Sequence, residues 1–145
     1  MRFLVIVKED QRDIAVDTAQ MTQMFEEMGK FNEELVKAGI MLAGEGLLPS
    51  SEGFRTKYEG PKRTVIDGPF AESKELIAGF WILQAKSRDE VTEWMKRAPF
   101  DGGTEIEIRQ IAEADDLGEA FTPELREAED RLRAEIEAQQ AHKES

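Results

Sequence analysis

Apolar positions along the chain follow two periods. Phe3, Val5 and Val7 alternate with Leu4 and Ile6, which predicts a strand over residues 2–7 with two apolar faces. Residues 9–17 are polar and read as a connecting loop. Met21, Met24, Phe25, Met28, Phe31 and Leu35 then recur three or four apart, the stripe of an amphipathic helix seated on a core. Thr18 is its expected cap, Lys37 suits its last turn and Gly39 its stop. Ile40 to Ala43 begins a second strand, bent by the segment from Gly44 to Pro49. Residues 54–58 and 63–66 read as a hairpin around the Gly60-Pro61 turn. Gly79 to Ala85 is again apolar on both faces. Ser87 and Glu90 form a capping box for a helix carrying Val91, Trp94, Met95 and Ala98, ended by Pro99. Thr104 to Ile111 alternates as a half-exposed strand.

With the hairpin set aside, this order predicts an α+β fold on the ferredoxin-like βαββαβ plan, with both helices on one face of an antiparallel sheet. The doubly apolar strands at 2–7 and 79–85 then need cover on the second face. A two-fold partner placing its sheet there makes a homodimer the expectation. The other available cover is the C-terminal helix. That helix is marked by Thr122, Pro123 and Glu124 at its start and by a narrow apolar line, Leu125, Ala128, Leu132 and Ile136. Glu127 with Arg131, and Glu129 with Arg133, are acid-first pairs four apart. The chain divides into a globular domain, 1–112, and an acidic extension with one helix, 113–145.

Charge changes the picture of partners. The 145 residues carry a net charge of −12, and residues 113–145 alone hold 11 acidic and 4 basic side chains. Nucleic acid and anionic membranes need a basic surface, so neither is an expected partner. There is no cysteine, hence no disulfide, zinc thiolate or thiol nucleophile. The chain opens directly on a strand-like run and has no apolar stretch near the ~20 residues of a membrane span, so a cytoplasmic location is expected.

Candidate chemistry gathers in the stretch from Val65 to Glu75. Asp67 ends a strand before Gly68-Pro69, and an Asp there normally accepts from the amide two residues on. Pro69 has none, which leaves the carboxylate to cap Phe70, to pair with Arg55, Arg63 or Lys74, or to face a pocket. Glu45, between Gly44 and Gly46, is the second candidate acid or base. Arg55, Pro69, Phe70, Glu72 and Lys74 are the expected binding residues. The sole histidine, His142, lies in the extension, so no histidine-based acid/base pair or zinc site is expected in the domain. There is no dinucleotide or Walker-type glycine loop, and neither cofactor nor metal is expected.

Asp67-Gly68-Pro69-Phe70, followed by Glu72, Lys74-Glu75 and Gly79-Phe80-Trp81, resembles the DGPF motif of the YCII-related (YciI-like) family, and Gly44-Glu45-Gly46-Leu47 with Pro49 resembles the element before it. The resemblance covers residues 1–111. It implies a dimeric α/β-barrel of ferredoxin-like subunits. It also implies three functional settings known in the family: enzymes using a His–Asp pair, a branch removing chloride from a ring substrate, and regulatory partners of extracytoplasmic sigma factors. Asp67 is present here; a histidine in the domain is not. The leading expectation is a dimer that binds a small polar molecule beside the DGPF turn. Two others stand beside it: a lyase- or isomerase-type enzyme with Asp67 or Glu45 as base, and an interaction module using the acidic helix.

Overall fold

The computed structural model describes residues 1–9, 17–71 and 75–143. The elements run β1 (Arg2–Lys8), α1 (Thr18–Lys37), β2 (Met41–Gly46), β3 (Phe54–Glu59), β4 (Lys62–Asp67), β5 (Ile77–Gln84), α2 (Arg88–Lys96), β6 (Ile106–Gln110) and α3 (Pro123–Lys143). Short 3-10 turns occupy Ser50–Glu52 and Ala114–Leu117. The fold is α+β with antiparallel sheets. Residues 1–111 and 112–145 form two compact units.

In the first unit a four-stranded sheet has the order β2-β5-β1-β6, every neighbour antiparallel. The doubly apolar strands β1 and β5 take the centre, where both ladders satisfy their amides. β2 and β6, which carry Glu45, Glu107 and Arg109, take the edges. Phe3 and Val5 from β1, with Trp81 and Leu83 from β5, are buried in one cluster with Phe31 and Leu35 of α1 and Val91 and Met95 of α2. Both helices therefore cover the same face. Each such fully buried side chain contributes about 1.5–3 kcal/mol relative to exposure. On the opposite face Leu4, Ile6, Phe80 and Ile82 are only half-buried.

The helix caps differ in detail from the sequence reading. Asp17, not Thr18, caps α1, accepting from the Gln20 amide at 2.8 Å while Gln20 Oε1 accepts from the Asp17 amide at 3.0 Å. Ser87 accepts from the Glu90 amide as expected, but Glu90 reaches the amide of Lys86 rather than that of Ser87. The stripe on α1 is also a correction: Phe31 and Leu35 are buried and Met28 partly so, but Met21, Met24 and Phe25 are exposed. Length explains it. A helix of 20 residues spans about 30 Å, whereas β1 with 7 residues spans about 23 Å. The first turns of α1 overhang the sheet.

β3 and β4 pair only with each other, from Phe54 opposite Asp67 to Glu59 opposite Lys62. Every residue of both strands except Thr64 is exposed. At its base the Gly68 amide donates to Gly53 O at 2.8 Å, and a Cβ on Gly68 would overlap the Ser50 carbonyl oxygen. The Gly68–Pro69 bond is cis.

In the second unit, Asp115 pairs with Arg126 at 3.0 Å and Thr122 Oγ1 accepts from the Leu125 amide at 3.3 Å. On α3, Glu129 pairs with Arg133 at 2.7 Å, and Leu125, Leu132 and Ile136 are exposed. The expected Glu127–Arg131 pair is not formed. Among the described residues no helix is long and apolar enough to cross a membrane.

Candidate functional site

A cavity of about 220 Å³ lies where α1 crosses the β2–β5 edge of the sheet. Its origin is a deficit of side chains. On the pleat, Gly44 pairs with Trp81 and Gly46 with Gly79, so three positions of this patch carry only hydrogen. Two of the glycines are also demanded by their neighbours. A Cβ on Gly44 would lie 2.6 Å from Met41 Cε and 2.8 Å from Trp81 Cδ1, and one on Gly79 would lie 2.9 Å from the Glu45 carbonyl oxygen. At Gly46 nothing stands within 4 Å of a Cβ: that position opens onto free space. Val7, Met28 and Phe100 complete the apolar lining.

One polar side chain is held at the wall. Asn32, one turn after Met28 on α1, accepts a hydrogen bond from Trp81 Nε1 through Oδ1 at 2.9 Å. An indole N–H can only donate, so Oδ1 must face Trp81 and the two N–H donors of the amide are left over. The Asn32 NH₂ has no partner among the described residues, and no buried polar side-chain atom lacks one, so that NH₂ is accessible. Trp81 is itself wedged edge-on between Phe31 and Phe100, each ring centre 6.0 Å away, which fixes the indole and through it the amide.

Of the residues selected from the sequence, Glu45 borders this cavity. It pairs with Phe80, across the pleat from Gly44 and Trp81, so its main chain forms the border and its exposed carboxylate stands toward the sheet's other face. Asp67, Arg55, Pro69 and Phe70 lie at the base of the hairpin. There the Arg55 guanidinium stacks on Phe70, 3.7 Å from the ring centre, a contact that holds the turn against β3. Asp67 is exposed and caps no amide; among the described residues its carboxylate has no hydrogen-bond or ion-pair partner. Glu72 and Lys74 lie outside the described residues. Sequence reasoning passed over Asn32. The available signal was a polar residue set between Met28, Phe31 and Leu35 on the packed half of α1.

Where β1 ends and β6 begins, Lys8 Nζ and Glu105 Oε1 meet at 2.8 Å, reinforced by a main-chain bond from the Lys8 amide to Glu105 O. The hydrogen bond to Glu105, opposed by desolvation and helped by the nearby carboxylates, raises the Lys8 ammonium above its ordinary range; the same bond lowers Glu105. Among the described residues no three His, Cys, Asp or Glu side chains are grouped to hold a metal ion.

Compared with known proteins, residues 1–120 match the model of the YCII-related domain. An uncharacterized protein of Rhizobium meliloti (strain 1021) is 26% identical over 74 residues, covering 51% of this chain. The match spans 60% of that relative's length.

Proposed function

The chain belongs to the YCII-related domain family, and we propose that it binds a small molecule in the cavity between α1 and the β2–β5 edge. The observation that carries this is the conjunction of three glycines, which leave the space open, with an Asn32 amide fixed by Trp81 and otherwise unpartnered. At about 220 Å³ the space exceeds the ~150 Å³ that takes up benzene and falls short of the ~300 Å³ at which drug-sized pockets begin. A ligand of one ring or a short branched chain fits.

The strand order β2-β5-β1-β6, with two crossover helices on one face, supports the ferredoxin-like plan. The half-buried Leu4, Ile6, Phe80 and Ile82 support a homodimer that covers the second face, as a dimeric α/β-barrel would. Asp67, Arg55, Pro69 and Phe70, with Glu72 and Lys74 following in sequence, are a second candidate surface at the DGPF turn. Its exposed Asp67 is the carboxylate available for acid/base work at that surface if it takes a substrate, and Glu45 is the other candidate base, on the sheet's opposite face from the cavity.

Filling the cavity tests the reading. Gly46→Val adds a side chain where nothing obstructs it. In thermal-shift screening with one-ring fragments, the unmodified chain is stabilised by a subset of them, by up to about 2.7 kcal/mol at a hundredfold excess over Kd. The valine variant folds and ignores the same fragments. Equal stabilisation of both proteins would remove the cavity from consideration.

A further inference from the structure

We propose that the cavity selects an uncharged ligand with a single hydrogen-bond acceptor, such as a ketone or amide carbonyl, which the Asn32 NH₂ receives. This rests on the reading of the cavity as a binding site and adds the chemical class. Trp81 occupies the Asn32 oxygen, so what the Asn32 side chain has left to offer the cavity is its NH₂ donors. A ligand lacking an acceptor would strip water from those donors without replacing it, at a cost comparable to a lost hydrogen bond.

Charge is excluded from both sides. The described lining contains no lysine or arginine, so a carboxylate or phosphate would be desolvated among Val7, Met28, Trp81 and Phe100 without a counter-ion. The net charge of −12 opposes the approach of an anion further. A cation fares no better. Amide N–H groups repel it, and the carboxylate of Glu45, the one acidic residue in the lining, stands across the pleat with Phe80. Asn32 is thus the specificity-determining residue and Trp81 a positioning residue that sets which end of the amide faces the ligand.

The test uses three probes of one ring size: cyclohexanone, cyclohexylammonium and cyclohexanecarboxylate. Each is titrated into the full chain while the Asn32 side-chain amide and Trp81 indole resonances are followed by NMR. Cyclohexanone shifts both signals and binds at least tenfold more tightly than either ion. Asn32→Asp keeps an acceptor for Trp81 but has no donor, and it weakens cyclohexanone about tenfold, the worth of one lost hydrogen bond. Gly46→Val abolishes binding of every probe. If an ion binds as well as cyclohexanone, or Asn32→Asp leaves the ketone unaffected while Gly46→Val still blocks it, the ligand class is overturned and the cavity stands. If no probe binds, or Gly46→Val binds as the unmodified chain does, both fall. The three-probe comparison on the unmodified chain decides the class even if Asn32→Asp fails to fold.

Discussion

Among single residues, Lys8 and Glu105 make the contact whose strength depends most plainly on pH. Glu105 is lowered in the folded chain, so its contribution is present above the ordinary glutamate value of 4.5 and is lost as pH falls through the folded value. Lys8 is raised, so its contribution is complete below 10.5 and is lost as pH rises through its folded value. Urea midpoints measured from pH 3 to 11 should therefore fall off at both limbs. Glu105→Gln should flatten the acid limb, and added salt should shrink the difference, because the pair faces solvent. The residues of the cavity were legible to different degrees. Gly44, Glu45 and Gly46 stood out as an unusual triplet on a strand, but what the glycines leave open depends on Trp81 and α1 lying opposite, and no local pattern specifies that. Asn32 looked like an ordinary polar helix position until Trp81 was found bonded to it.

Individual elements show where pattern reading succeeds and where it stops. The strands of the four-stranded sheet and the two helices packed on it were visible as periodicities, because burial of one face imposes period two or 3.6. The hairpin, which buries no face, was marked by its Gly60-Pro61 turn, and α3 by its starting residues and a narrow apolar line. The extent of burial along α1 was not visible. Apolar spacing tells which face of a helix is apolar, while the length of the sheet beneath decides how much of that face is covered. The two halves of α1 should accordingly respond differently to substitution. Leu35→Ala, at a fully buried site, should cost about 2–5 kcal/mol in denaturant unfolding. Phe25→Ser, at a position 69% exposed, should change the folding of the single chain by less than about 0.5 kcal/mol. The DGPF stretch drew attention through its charges, yet its structural content lies in Gly68 seated against the Ser50 carbonyl and in Arg55 stacked on Phe70. Both are contacts with a segment more than ten residues away, beyond the reach of a local motif.

For the molecule as a whole, the unequal faces of the sheet carry the main consequence. One face is sealed by α1 and α2; the other presents Leu4, Ile6, Phe80 and Ile82 half-covered between Glu45 and Glu107 at the edge strands. Sedimentation at micromolar concentration should give a dimer, and Ile82→Asp should give a folded monomer, since the aspartate would be desolvated at the centre of a packed second face. A monomeric unmodified chain would rule out that use of the face. The β3–β4 hairpin has a consequence of a different kind. It is exposed at every position but Thr64, belongs to a two-stranded sheet of its own, and carries Arg55, Lys57, Lys62 and Arg63 in an otherwise acidic chain. Isolated hairpins open readily, and a protease cleaves what opens first. Brief trypsin treatment should nick the chain between residues 55 and 63, and the two fragments should remain together through the β1–β5 and β1–β6 ladders, migrating as one species until denatured.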